Sequence, residues 1–117
     1  MRIVNLTPHN ITLRAEDGTD TTIAPSGTVA RVATIPGEPT GRIVGGVLVF
    51  GPDQVGEVTG LPEPIEGTVF IVSGFVAAAL AGSGRGDVFA PGTGPADGAV
   101  RNERGHVVAV TRLKASA

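Results

Sequence analysis

The chain has 117 residues, a formal net charge of −2 and no cysteine. This length suits one modest domain, so we expect a single β-rich domain over residues 1–117. The missing cysteines exclude disulfides, thiolate nucleophiles and cysteine-based metal sites. The near-neutral charge and the lack of a basic run argue against a polymeric nucleic acid as partner.

No segment predicts a membrane location. The longest apolar run is shorter than the roughly 18 residues that a transmembrane helix needs, and Ser73-Gly74 interrupts it. Residues 1–4 open no long apolar region of the kind found in signal peptides. We therefore expect a cytoplasmic protein or, alternatively, a virion component, with no membrane partner.

Short alternating segments fill the first third of the chain. Residues 2–6 and 11–14 predict strands on either side of a turn at residues 7–10, because Pro8 moves the preceding residue out of the helical region. Asp17-Gly18 predicts a hairpin that returns through residues 21–23.

Residues 28–35 predict the clearest strand of this part of the chain. The alternation places Arg31 on the same face as Val29, Ala33 and Ile35. A charged side chain on an otherwise apolar face makes Arg31 a candidate ligand contact.

The middle of the chain predicts weaker elements. Residues 36–41 predict a loop, residues 42–44 a short strand that Gly45-Gly46 breaks, and residues 47–50 a buried strand. Gln54 to Thr59 is a weak element, and the prolines in residues 61–64 predict an extended loop.

Residues 66–80 form the longest apolar run, and its period changes along its length. Val69 to Val72 are β-branched or aromatic, which predicts a strand buried on both faces. Phe75 to Leu80 are rich in alanine, which predicts a short helix at about residues 74–82, with the Ser73 hydroxyl as its cap.

The last third predicts a strand at residues 87–90, a turn-rich loop at residues 91–98 and a hairpin around residues 102–105. Residues 114–117 are expected to fray. The spacing of turn signals predicts a mainly β protein: a small barrel or sandwich of about eight to ten short strands with one short helix.

Catalytic chemistry has little support. Ser73 lacks the glycines that a nucleophile elbow places two residues to either side, and His9 and His106 are the only candidate imidazole bases. The two histidines also lack the spacing of metal ligands. We therefore expect no enzyme, no metal and no cofactor.

Two polar clusters are candidate binding sites. Gly82-Ser83-Gly84-Arg85-Gly86 fits either a helix C-cap with a flexible turn or an anion-binding loop that uses Arg85, followed by Asp87. Asn5, Thr7 and His9 surround a proline turn, where they either bond to the local backbone or form a ligand rim.

Several segments resemble a family of small proteins of tailed phages and bacterial genomes that open on an Asn-Leu-Thr-Pro-His string. The resemblance spans nearly the whole chain and is carried by residues 4–9, 25–31, 60–64, 71–73, 85 with 87, 91–94 and 109–113. It implies a phage setting, and the family brings no established activity or site residues.

Small phage proteins of this size include nucleotide "sponges", which capture host immune signals in oligomer pockets, and β-rich capsid decoration proteins. By this analogy we expect a homo-oligomer in the host cytoplasm that sequesters a small anionic ligand, such as a cyclic nucleotide. The expected ligand-binding residues are Asn5, Thr7, His9, Arg31, Ser73, Arg85 and Asp87. A virion structural or capsid decoration protein is the alternative.

Overall fold

A computed structural model describes residues 1–116, which form twelve strands and one helix. In chain order they are β1 (Arg2–Asn5), β2 (Ile11–Arg14), β3 (Asp20–Ile23), β4 (Arg31–Ile35), β5 (Pro39–Val44), β6 (Val47–Phe50), β7 (Gln54–Thr59), β8 (Thr68–Ile71), α1 (Gly74–Ala79), β9 (Val88–Pro91), β10 (Val100–Arg101), β11 (Val107–Ala109) and β12 (Leu113–Ala115).

The centre of the molecule is a four-stranded mixed sheet in the order β1-β8-β9-β12. Strand β8 is parallel to both β1 and β9, and β12 is antiparallel to β9. Successive side chains of β8 point to opposite faces, so Phe70 joins one buried cluster and Ile71 another. The prediction of a strand buried on both faces is confirmed.

The larger buried cluster lies between this sheet and helix α1. The Ser73 Oγ accepts a hydrogen bond from the Val76 backbone N–H at 3.3 Å and caps the helix. Val76 and Ala77 face the core, whereas the Phe75 side chain is 83% exposed. The helix ends at Ala79, short of the predicted residue 82, because the chain turns through Gly82 at φ +81°.

A long β-ribbon leaves this body. Strand β4 pairs with β7, and β5 pairs with β6 further out along the same ribbon. Gly45 and Gly46 have φ values of +59° and +82°, as a two-residue type I′ hairpin turn requires, so they join β5 to β6. The loop predicted over residues 36–41 is wrong in its second half, because β5 begins at Pro39.

The ribbon makes the molecule elongated. The Cα radius of gyration is 17.2 Å and the extents are 55 × 39 × 24 Å. A compact domain of this length has a radius of gyration of about 13 Å. The ribbon is attached at its base, where Val32 and Val58 pack on the larger core cluster.

Two further hairpins and the last strand complete the fold. The predicted hairpin around Asp17-Gly18 is present as β2–β3, and residues 102–105 turn between β10 and β11. The predicted fraying at Lys114 and Ala115 is wrong, because both residues pair with β9 in the sheet. Ala117, the last residue of that prediction, lies outside the described residues.

The mainly β prediction with one short helix is confirmed. Within residues 1–116 the strands form one four-stranded sheet and four separate two-stranded ladders, and no sheet closes into a barrel. The strand count exceeds the predicted eight to ten, partly because β12 forms over Leu113–Ala115, where the sequence predicts fraying from residue 114.

Candidate functional site

A cavity of about 470 Å³ lies between the end of β1, strand β4 and helix α1. Parallel pairing of β1 with β8 brings the segments after both strands to the same edge of the sheet, Thr7-Pro8 after one and Ser73 after the other. Its wall is mainly apolar, and its polar side chains come from Thr7, Arg31, Thr34 and Ser73. Three of the seven predicted binding residues therefore line one cavity.

The turn beside this cavity is fixed by Asn5, which is 1% exposed. Its Nδ2 donates to the carbonyl oxygens of His9 at 2.7 Å and Ile23 at 3.0 Å. Its Oδ1 accepts from the Thr7 backbone N–H at 2.9 Å and from the Thr7 hydroxyl at 2.7 Å. With two donated and two accepted bonds, this amide is fully used inside the protein.

Thr7 and His9 have different positions relative to the cavity. The Thr7 hydroxyl lines it but points its hydrogen at Asn5, with a longer contact of 3.1 Å to the His9 carbonyl. The exposed His9 side chain lies instead beside a separate cavity of about 310 Å³ with Pro91 and Val107. The Thr7 oxygen accepts from the His9 backbone N–H at 3.4 Å, so it can offer a ligand one remaining lone pair, and His9 is not part of the larger cavity.

Arg31 is the one charged residue lining the larger cavity within residues 1–116. No side-chain hydrogen bond or ion pair of Arg31 occurs among the described residues, and the residue is exposed. A free guanidinium beside an apolar wall can donate a forked pair of hydrogen bonds to a phosphate or a carboxylate.

Ser73 and Phe75 lie on the helix side of the cavity. The Ser73 oxygen accepts from Val76, and its hydroxyl hydrogen has no acceptor among the described residues, so it remains free to donate. Phe75 presents its exposed ring at the rim, where it can stack on a planar group. Strand β4 forms the opposite wall with Arg31 to Thr34, and the side chains of Val32 and Thr34 leave the strand on the other face from that of Arg31.

Arg85 and Asp87 are not part of this cavity. The Arg85 Nε and Nη2 donate to the two Asp87 carboxylate oxygens at 2.9 and 3.0 Å, and Nη2 also donates to the Pro62 carbonyl at 3.0 Å. The hydrogen bonds from Arg85 lower the pKa of Asp87, and those to Asp87 raise the pKa of Arg85. The pair uses three of the five guanidinium N–H donors and connects the loop before β9 to the loop before β8.

Some features of this region escape sequence analysis. Phe75 and Val55 line the cavity, although neither is among the seven predicted binding residues. Asp97 is 4% exposed; its carboxylate accepts from the Gly94 N–H at 2.8 Å and pairs with Lys114 at 2.9 Å. The one sequence feature that indicates a structural role for the Asp97 carboxylate is its position three residues after a glycine in a turn-rich loop.

The remaining chemistry of residues 1–116 is sparse. No three histidine or acidic side chains in this range come together as metal ligands do. Every buried side-chain nitrogen or oxygen there has a hydrogen-bond partner. Over the same range, no helix has the length and apolar character that crossing a bilayer demands.

Comparison with protein-family models, with curated proteins and with solved structures finds no match to this chain. Function is therefore inferred from the residues around the cavity and from the chemistry that they can supply.

Proposed function

We propose that this protein is a non-catalytic binding protein that sequesters a small anionic ligand in the cavity beside the Pro8 turn. The observation that supports this proposal is that Arg31, which has no side-chain partner among the described residues, lines a mainly apolar cavity of about 470 Å³. Small-molecule sites have this size, and they combine apolar walls with a few polar groups that orient the ligand.

The ligand class follows from the groups available. Arg31 supplies a positive fork, the Ser73 hydroxyl supplies a donor, and the exposed Phe75 ring supplies a stacking surface. A nucleotide has a matching phosphate, sugar hydroxyls and a planar base. We therefore propose a nucleotide, such as a cyclic nucleotide signal, captured by a homo-oligomer in the cytoplasm of a phage host, which is the setting that the sequence resemblance implies.

The first test is calorimetric titration of the full chain with cyclic AMP, a cyclic dinucleotide and ADP-ribose. We expect one of these to bind, and Arg31→Met to weaken that binding about 10- to 100-fold, because a charge-assisted hydrogen bond contributes about 1.5–3 kcal/mol. Phe75→Ala should weaken it about tenfold or more through lost stacking.

Arg104→Met is the matched control, because Arg104 is exposed in the turn between β10 and β11, away from the cavity. It removes the same charge and should leave the affinity unchanged. If Arg31→Met and Arg104→Met weaken ligand binding equally, the loss of affinity comes from the change in net charge and not from a contact at the cavity. An affinity that is unchanged in Arg31→Met would contradict the assignment of this cavity as the binding site.

A second candidate function is a virion structural or capsid decoration protein. The observation that favours it is the elongated ribbon with exposed apolar side chains, a shape suited to assembly into a lattice. Mass spectrometry of purified particles tests this candidate. Detection in stoichiometric amounts would support it, and presence only in the infected-cell lysate would favour the ligand-binding function.

A further inference from the structure

We propose that the outer part of the ribbon, residues 34–55, is the interface through which this chain binds a second copy of itself, arm against arm. We call this segment the β-arm. The inference rests on the surface of the β-arm alone and goes beyond the proposed ligand-binding function. It names the interface of the oligomer, and its test needs no ligand.

The tip of the β-arm exposes large apolar side chains on both faces. Ile43 lies opposite Leu48, so these two share one face, with Phe50 two residues along. Val44 lies opposite Val47 on the other face. These five side chains are between 55% and 67% exposed.

The inner part of the β-arm adds Ile35, which is 52% exposed, and Val55, which is 67% exposed. Across both faces the seven side chains, which are 52–67% exposed, present roughly 250–500 Å² of apolar surface, taking the area per side chain that transfer energies imply. The largest apolar patch on a typical monomer is about 300–600 Å². A standard protein interface buries about 800 Å² per partner, of which about 56–58% is non-polar, so the β-arm supplies much of the apolar area that a stable dimer needs.

The β-arm also lacks support within its own chain. Strands β5 and β6 pair only with each other among the described residues. A two-stranded hairpin on its own is marginally stable in water, and stable hairpins pack on further strands or a helix. The β-arm therefore needs a partner that is present whenever the chain folds, and a second copy always meets that condition.

The few charges of the β-arm favour another β-arm as its partner over a membrane surface or a polyanion. It carries one basic residue, Arg42, and two acidic residues, Glu38 and Asp53. A membrane surface or a polyanion would require a basic excess. In a twofold arrangement the face of one β-arm that carries Ile43, Leu48 and Phe50 meets the same face of the other, so each copy covers that face of its partner.

The test is sedimentation velocity and native mass spectrometry of the full chain at 0.1–100 μM without added ligand (about the range in which dimers of ordinary affinity dissociate). We expect a dimer, or a higher even-numbered oligomer containing it. Leu48→Glu places a charge in the centre of the interface and should convert the protein to monomer, with a dissociation constant raised 100-fold or more.

Ile65→Glu is the matched control, because Ile65 is 54% exposed but lies in the loop before β8, outside the β-arm. It should leave the oligomer intact. If Leu48→Glu fails to fold, as far-UV circular dichroism would reveal, Leu48→Ala is the variant that tests the interface. It keeps the hairpin pattern and should raise the dissociation constant about tenfold.

A monomeric wild-type protein at 100 μM would overturn the inference, and so would an oligomer whose dissociation constant changes less than twofold in Leu48→Ala. Either result leaves the ligand proposal to be judged separately by Arg31→Met. Conversely, a dimer that requires Leu48 but binds no nucleotide would support the interface and reject the ligand.

Discussion

At the scale of single residues, Asn5 determines how the Pro8 turn is held. Its amide connects β1 to the His9 carbonyl and, through the Ile23 carbonyl, to the end of β3. The sequence predicts a polar role for Asn5 but leaves open whether its bonds are local or to a ligand. The Ile23 carbonyl lies eighteen residues away, and such a long-range partner cannot be read from spacing.

We expect Asn5→Asp to destabilise the folded state by about 2–4 kcal/mol. The two carbonyl oxygens that Nδ2 serves would lose their donor and face a carboxylate oxygen instead. Far-UV circular dichroism in urea measures the change, since the chain has no Trp or Tyr for fluorescence. Asn10→Asp, in the exposed end of the same turn, should change stability by less than about 0.5 kcal/mol. Similar losses in both variants would contradict this role.

Arg85 illustrates a second limit of sequence analysis. The sequence of a glycine-rich segment does not show whether its arginine is free or paired with a carboxylate. The anion-binding interpretation of Arg85 requires a free guanidinium. Asp87, two residues away, occupies the guanidinium that a phosphate would need. Arg31 has no such carboxylate partner among the described residues, and alternation within its strand is the sequence signal that makes it a candidate.

At the scale of elements, the β-arm depends on a close crossing of two chain segments where β4 passes into β5. A Cβ at residue 37 would lie 2.8 Å from the Pro52 carbonyl oxygen and would also overlap the Gly51 backbone. The Gly51 N–H donates to the Glu38 carbonyl at 2.7 Å across the same crossing. Sequence patterns predict turns at Pro36-Gly37 and Gly51-Pro52. In the structure these two segments lie against each other and connect the inner and outer halves of one ribbon.

We expect Gly37→Ala to destabilise the β-arm by about 1–3 kcal/mol, because the added methyl group forces two backbones apart. Hydrogen exchange should increase in residues 39–50 and stay unchanged in the central sheet. Gly86→Ala is the control, since a Cβ there meets nothing within 4 Å and its φ is not positive. Equal exchange in wild type and Gly37→Ala would show that the crossing is not needed to hold the β-arm.

Element prediction succeeded where a segment carries its own signal. The central strand, the helix start at Ser73 and the Asp17-Gly18 hairpin each depend on neighbouring residues. It failed at Lys114 and Ala115, whose strand exists only because β9 offers an edge more than twenty residues earlier in the chain. It also failed at Pro39, because an edge strand tolerates a proline whose missing N–H needs no partner.

At the scale of the whole molecule, two carboxylates connect stability to pH. Hydrogen bonds from Lys114 and the Gly94 N–H lower the pKa of Asp97, and those from Arg85 lower the pKa of Asp87. Each pKa is lower in the folded than in the unfolded chain. The stabilisation that these groups give is therefore complete above about pH 4 and is lost as the pH falls through the folded pKa.

We expect the thermal midpoint to be nearly constant from pH 7 to about pH 5 and to fall steeply between about pH 4 and pH 2. In Asp97→Asn the midpoint should be lower at neutral pH, and its fall in acid should be smaller, because one carboxylate no longer has to take up a proton. Thermal melts followed by circular dichroism at fixed ionic strength provide the comparison. An identical acid dependence in both proteins would exclude Asp97 as a contributor.

The parallel pairing of β1 with β8 has a consequence for synthesis. Arg2 to Asn5 pair with Thr68 to Ile71, so β1 has no partner in the sheet until more than sixty further residues exist. On the ribosome, the β2–β3 hairpin and the whole β-arm emerge during that interval and can close locally. The central sheet therefore forms only after the β-arm has been made, and the β-arm, with its apolar tip, is exposed to neighbouring nascent chains before the sheet that carries it exists.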